Sequence, residues 1–147
     1  MITIIQALEI SSIVLIGILT GASFYSSMVE IPIRATTSEE EQLKNWRLVF
    51  PKASKLLIII GNIAMVLVLI TWYLTGNTGW LMGAIPLIIL IPFTVIFIFK
   101  TNAKLTSLTN STGVSTLIRS WGKLHNIRTI LAIISFIICA VSVVINN

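Results

Sequence analysis

The chain has 147 residues, of which 56% are hydrophobic and only 10% are charged. Soluble domains carry about 25% charged residues, so this composition excludes an ordinary soluble fold and indicates a protein that folds in lipid. Ten Lys and Arg residues against five acidic ones give a net charge of +5. We attribute this charge to membrane topology and anionic lipid headgroups rather than to nucleic-acid binding.

Long uncharged stretches divide the chain into predicted membrane spans. Stretches of twenty, forty-four and nineteen uncharged residues follow Glu9, Lys55 and Arg128. A helix of about 20 apolar residues crosses a bilayer, so the longest stretch predicts two spans, separated by the turn-forming residues 76–79. We predict a single domain, 1–147, with spans at about 6–29, 56–75, 80–99 and 126–145.

The basic residues lie on one side of this predicted topology. Four spans place both termini and the turn 76–79 on one side, and the loops 30–55 and 100–125 on the other. All ten Lys and Arg residues belong to these two loops or, in the case of Arg128, follow immediately after. Loops rich in Lys and Arg stay cytoplasmic, so we expect cytoplasmic loops and external termini in a plasma or inner membrane.

The first loop contains a predicted amphipathic helix. Ser38 begins a capping-box pattern, Leu43, Trp46 and Phe50 recur at helical spacing, and Pro51 is expected to end the helix. Such a helix would lie on the membrane surface. The predicted fold class is therefore all-α: a polytopic four-transmembrane-helix bundle with a short amphipathic interfacial helix in the first cytoplasmic loop.

The first span carries a GxxxG motif at Gly17 and Gly21. Small residues let helix backbones approach closely in lipid. Packing within the chain is the favoured interpretation, and a homo-oligomer formed through Gly17 and Gly21 is the alternative. Membrane lipids are the other expected partners.

Polar residues gather at the cytoplasmic ends of the spans. Glu30 closes the first span and Asn102 closes the third, while Trp121, His125 and Arg128 begin the fourth. The spacing i, i+4 and i+7 puts these last three on one helix face. Because ionisable residues at membrane depth are functional candidates, we expect these five residues to converge on one pocket.

Each of these residues also has a structural alternative. The Arg128 side chain could extend to lipid phosphates, and Glu30 could pair with it or with Arg34. Trp121 could be an ordinary interfacial aromatic residue, and His125 could be half-exposed without a role.

The composition excludes several kinds of catalytic centre. One His and one Cys, Cys139, cannot supply bis-histidine haem ligation or a dinuclear metal site, and a chain without Asp cannot hold a Ser–His–Asp triad. No glycine-rich phosphate loop occurs in the sequence. We therefore expect no metal and no cofactor.

Three motifs follow one another along the chain. They are Gly21-Ala22-Ser23-Phe24-Tyr25 with Val29-Glu30-Ile31-Pro32, then Pro92-Phe93-Thr94 with Thr101-Asn102-Ala103-Lys104-Leu105, and Trp121-Gly122-Lys123-Leu124-His125-Asn126-Ile127-Arg128-Thr129. In these motifs and their spacing the chain resembles the anthrone-oxygenase-like family of small four-span membrane proteins. It departs from the family pattern at Ile31, where a His often precedes the proline, and at Lys100, where a proline usually precedes Thr101.

The resemblance implies a four-helix bundle and, as in some fungal members, oxidation of a polyketide anthrone to an anthraquinone. An anthrone has an acidic benzylic CH₂, and its enolate reacts with O₂ without a cofactor. In this scheme His125, whose unperturbed pKa is about 6.5, is the general base. Arg128 and Asn102 hydrogen-bond the developing oxyanion.

The same resemblance implies a set of substrate-binding residues. Trp121 would stack on the flat ring and Glu30 would orient His125 or Arg128, with Thr101 and Tyr25 completing the set. Two other functions stay open from the residues alone. One is a non-catalytic protein that binds an aromatic or quinone-like molecule in this pocket, and the other is a membrane assembly protein.

Overall fold

A computed structural model describes residues 2–145 and contains four long helices. They are α1 (Ile4–Arg34), α2 (Glu39–Thr75), α3 (Thr78–Ser107) and α4 (Val114–Ile145), each long and apolar enough to cross a membrane. No strand occurs within the described residues, and the all-α membrane fold class is confirmed. Each predicted span lies inside one of these helices. The predicted domain 1–147 also takes in residues 1, 146 and 147, which lie outside the described part of the chain.

Side-chain caps and a glycine turn fix where the helices begin and end. The Thr3 hydroxyl accepts the Gln6 N–H at 3.1 Å, and the Gln6 side chain accepts the Thr3 N–H at 3.0 Å, forming a capping box at the start of α1. Ser38 caps α2 by accepting the Glu41 N–H at 3.3 Å. Gly76 ends α2 with a φ of 67°, a left-handed conformation that glycine adopts without strain.

The amphipathic segment of the first loop is helical, as predicted, but its expected end is corrected. The helix does not end at Pro51, because α2 runs through this residue into the second span. Leu43 and Trp46 of this segment are buried in one cluster with Leu105 and Trp121, and its place at the membrane surface stays a prediction. This packing offsets the roughly 3 kcal/mol that an interior proline costs.

The helix α1 contacts α2 and α4, α3 contacts the same two helices, and α2 and α4 also contact each other. Buried hydroxyl groups join these pairs. Ser12 and Thr71 share a hydrogen bond of 3.3 Å between α1 and α2, and the Ser135 hydroxyl donates to the Gly83 carbonyl at 2.7 Å between α4 and α3. The membrane-embedded core between the four helices centres on Ile16, Val68, Trp80 and Leu87.

Small residues let α3 and α4 approach closely. A Cβ atom added to Gly83 would overlap the Sγ of Cys139, and one added to Gly79 would overlap the Ser142 hydroxyl. The two glycines of the GxxxG motif in α1 have different surroundings. A Cβ on Gly17 would lie 3.4 Å from the Phe136 ring of α4, whereas one on Gly21 would meet nothing within 4 Å. Gly17 therefore packs within the chain, and dimerisation through this motif stays a prediction.

Candidate functional site

Two π-helical turns lie at the same end of the molecule, towards the loops that carry the basic residues. One is Ser26–Glu30 in α1 and the other is Thr94–Ile98 in α3. The first contains a hydrogen bond in which the Ser26 hydroxyl donates to the Glu30 carboxylate at 2.8 Å. Such turns occur frequently at functional sites, and residues of both turns line the cavities described next.

A small polar cleft lies between α1, α2 and α4. Its wall includes Glu30 and Arg34 from α1, Phe50 and Leu57 from α2, and Trp121, His125 and Arg128 from α4. The cleft has a volume of about 30 Å³. This is room for one molecule the size of water or dioxygen, and it is too small for an aromatic ring.

His125 is held in one tautomer at this cleft. Its side chain is 3% exposed, and its Nε2 lies 3.3 Å from the Ser23 carbonyl oxygen. Because a carbonyl oxygen only accepts, Nε2 carries the proton, and a neutral imidazole then has its lone pair on Nδ1. Nδ1 is buried and has no hydrogen-bond partner within residues 2–145. The side chain therefore offers an unused proton acceptor.

The Trp121 ring fixes the plane of this imidazole. The two rings stack with their centroids 5.2 Å apart and an angle of 20° between their planes. Phe50 meets Trp121 edge to face at 6.0 Å, and Trp46 stacks on Phe50 at 4.5 Å. An aromatic column from α2 thus supports the histidine from the side of the first loop.

Arg128 is a buried cation without a carboxylate partner in the described part of the chain. Its side chain is 9% exposed and its Nε has no hydrogen-bond partner there. The nearby Glu30 forms an ion pair with Arg34 and accepts the Ser26 hydroxyl, so its carboxylate is already bound. Burying an unpaired charge is costly, and the site is therefore suited to an anionic or strongly accepting ligand atom.

An apolar groove between α2 and α3 adjoins the cleft. It has a volume of about 150 Å³, and its lining includes Gly61 and Met65 from α2 and Leu90 from α3. Leu57 and Arg128 line both the groove and the cleft. Arg128 therefore stands where an apolar chamber and a small polar chamber meet.

The structure brings together four of the seven predicted site residues: Trp121, His125, Arg128 and Glu30 all line the cleft. Of the two anticipated partners for Glu30, Arg34 is the one that forms the ion pair. Trp121 stacks on His125, whereas the resemblance assigned it to a substrate ring.

The other three predicted residues lie apart from both cavities. Asn102 is buried, with no partner for Oδ1 among the described residues, but it lines neither cavity. The Thr101 hydroxyl donates to the Phe97 carbonyl of its own helix at 3.4 Å. Tyr25 is 60% exposed on α1. A direct contact of these three residues with a ligand in the cleft or the groove is not supported by this geometry.

Several residues of the site were not predicted from the sequence. Ser23 acts through its backbone carbonyl, which no side-chain pattern reveals. Phe50 reaches the cleft because α2 continues through Pro51, and Gly61 and Met65 looked like ordinary span residues. Arg34, in contrast, was anticipated as a partner of Glu30, since its spacing of four is that of an ion pair on a helix.

No group of three His, Cys, Asp or Glu side chains in the described residues could hold a metal ion. In the comparisons with known proteins, a family model described as anthrone oxygenase matches residues 46–138. This range contains the second and third of the three sequence motifs and excludes the first. Searches of curated proteins and of solved structures found no match.

Proposed function

This chain belongs to the anthrone oxygenase family, and we propose that it oxidises an anthrone-like aromatic ketone with O₂ at the junction of the cleft and the groove. The observation that carries the proposal is the pairing of a buried His125, whose Nδ1 has no partner in the described structure, with the unpaired Arg128. A base and an anion-stabilising cation at one place are what enolate formation requires.

The first step of the proposed reaction is a proton transfer. His125 Nδ1 removes a proton from the benzylic CH₂, and the two electrons of that C–H bond form the enolate. Arg128 stabilises the negative charge on the enolate oxygen by donating a charge-assisted hydrogen bond. Asn102 was predicted as a second donor; because it lines neither cavity, we assign it no contact with the substrate.

The second step is the reaction of the enolate with O₂. A C–O bond forms, and protonation gives a hydroperoxide. Loss of the second hydrogen from the same carbon then breaks the O–O bond and expels water. Overall, one anthrone and one O₂ give one anthraquinone and one water, so one oxygen atom enters the product and the other leaves as water. The cleft volume of about 30 Å³ suits a molecule of the size of O₂.

An oxygen-uptake assay tests this function. The purified protein, in detergent or nanodiscs, receives anthrone, and anthraquinone is quantified by mass spectrometry against a protein-free reaction, since anthrone also oxidises slowly by itself. With ¹⁸O₂ we expect one labelled oxygen in the new carbonyl group. His125→Ala and Arg128→Gln should each lower the catalysed rate by about 10²-fold or more.

Lys123→Gln serves as the matched control, because Lys123 is an exposed cation on the same helix. Full activity in both His125→Ala and Arg128→Gln would refute the proposed chemistry. Binding of anthrone without any oxygen uptake would instead support the second candidate, a non-catalytic aromatic or quinone-binding protein. The groove beside Arg128 is the observation that favours that candidate.

We also propose that the four helices form one bundle in a plasma or inner membrane, with both termini outside. The support is the confinement of all ten basic residues to one side of the topology. Single cysteines introduced at Asn77 and Asn110, in a Cys139→Ser background, test it with a membrane-impermeant maleimide on intact cells. Labelling at residue 77 and protection at residue 110 are expected, and the reverse pattern would contradict the orientation.

A further inference from the structure

We propose, taking the chemical class of the ligand from the function proposed above, that the groove between α2 and α3 is a lateral binding site. It would admit one ring of an aromatic weak acid, a phenol or enol, from the lipid phase to Arg128. The groove lies within two helices that are apolar enough to span a membrane. Its rim includes Ile58, Ile91 and Val95, whose side chains are 42–54% exposed. Its opening therefore faces lipid.

One side chain, that of Arg128, supplies the charge in the lining of this groove. Of the two uncharged polar residues that line it, Asn62 donates to the Ile58 carbonyl at 2.9 Å and Thr94 donates to the Leu90 carbonyl at 2.7 Å. Each of these two side chains thus makes one hydrogen bond within its own helix. Arg128 is the one charged residue in the lining, and its buried Nε has no partner in residues 2–145.

The chemistry of the occupant follows from this lining. The wall is apolar, so the body of the ligand must be apolar, and the cation at the inner end requires an acceptor oxygen or an anion. A phospholipid acyl chain would satisfy the wall but has no acceptor of its own for Arg128 inside the groove. An aromatic ring with one acidic hydroxyl satisfies both.

The size of the groove sets how much of the ligand enters. A closed apolar cavity of about 150 Å³ holds a molecule the size of benzene, and the groove has about this volume. One ring can therefore lie between the helices, while the remaining rings or substituents extend through the open side towards lipid.

Gly61 offers a way to close the groove without disturbing the helices. A Cβ atom on Gly61 would lie 3.6 Å from Leu19 Cδ2, an ordinary van der Waals contact, so a side chain can begin there without a clash. Because Gly61 lines the groove, a leucine at this position would fill part of it. Gly21 is the matched control, since its added Cβ meets nothing within 4 Å.

Photolabelling with 4-hydroxybenzophenone tests the site directly. This probe is a phenol, and on illumination its ketone inserts into nearby C–H bonds, with a preference for methionine. The protein in nanodiscs is illuminated with the probe and labelled peptides are quantified. We expect Met65, which lines the groove, to be labelled more than Met28 and Met82, although each of these two is 55% exposed.

Two substitutions define the expected selectivity. Gly61→Leu should abolish the preference for Met65, and Gly21→Leu should leave it intact. Arg128→Gln should weaken labelling by the hydroxylated probe about tenfold, the loss expected for one hydrogen bond to a charged group. Labelling by unsubstituted benzophenone, which has no acidic hydroxyl, should change little in that variant.

Equal labelling of Met65, Met28 and Met82, or a preference for Met65 that survives in Gly61→Leu, would overturn the proposal. Its failure is separable from failure of the proposed oxygenation, because photolabelling requires no turnover. Selective labelling of Met65 without oxygen uptake would support the binding site in the groove and contradict the proposed oxygenation. Oxygen uptake that is unaffected by Gly61→Leu would support the proposed oxygenation and contradict the binding site in the groove.

Discussion

Replacing Gly83 by alanine tests the close approach of α3 and α4. The new Cβ would overlap Sγ of Cys139 at less than the 3.0 Å that Cβ atoms keep from other heavy atoms. The next neighbours, the Cys139 nitrogen at 3.5 Å and the Ser135 oxygen at 3.6 Å, would stay in ordinary contact. The whole conflict therefore lies with one sulfur atom.

The expected cost follows from this geometry. Cys139 is fully buried, so its Sγ can move only by an unfavourable rotamer or by separation of α3 from α4. Overpacking of this kind costs about 1–3 kcal/mol. Cys139→Ala alone removes a buried sulfur and should cost about 1 kcal/mol. The double variant Gly83→Ala/Cys139→Ala contains no overlap, so its stability should equal that of Cys139→Ala within a few tenths of a kcal/mol.

Thermal unfolding in a mild detergent, followed by tryptophan fluorescence, measures the effect. For a chain of this length about 1 kcal/mol corresponds to a Tm shift of about 2–4 °C. Gly21→Ala, with open space around its new methyl group, is the control and should unfold like the wild type. A Gly83→Ala variant as stable as the wild type, or a double variant less stable than Gly83→Ala, would refute the reasoning.

Three further changes probe the first loop and its contacts. Pro51→Ala should raise Tm, because α2 is already continuous and regains an N–H donor; a lower Tm would show that the proline fits a bend. Trp46→Ala should cost about 3–5 kcal/mol in unfolding free energy, whereas Tyr73→Ala, 81% exposed, should cost little; equal Tm losses would contradict this burial. Glu39→Gln should speed proteolysis next to Gly113, whose N–H it accepts at 3.1 Å, and an unchanged cleavage rate would contradict a role for this carboxylate.

The number of helices could be predicted because a helix must be long enough to cross the lipid, and the uncharged stretches of the sequence have this length. Each uncharged stretch must be helical to satisfy its backbone groups. The end of a helix at Pro51 could not be predicted in the same way. The rule for proline is local, whereas the contacts of Leu43 and Trp46 with α3 and α4 are made only in the folded chain.

Part of the site could be predicted for a similar reason. Trp121, His125 and Arg128 belong to one uninterrupted helix, so their spacing fixes their common face. Asn102 follows the π turn at Thr94–Ile98. An extra residue in a helix rotates everything after it by about 100°, and Asn102 lines neither the cleft nor the groove. Sequence patterns give the height of a residue along a span more readily than its rotation.

For the oxygenation proposed above, a lateral opening of the groove between α2 and α3 bears on how rates should be expressed. A reactant that arrives through lipid is present at a mole fraction of the bilayer, and its aqueous concentration counts only through partitioning. Adding empty vesicles or extra detergent at a fixed total amount of reactant would lower the mole fraction of the reactant in the lipid. An apparent KM stated per litre of water would therefore rise with the amount of lipid. Dioxygen, which also dissolves better in hydrocarbon than in water, would reach Arg128 from the same phase.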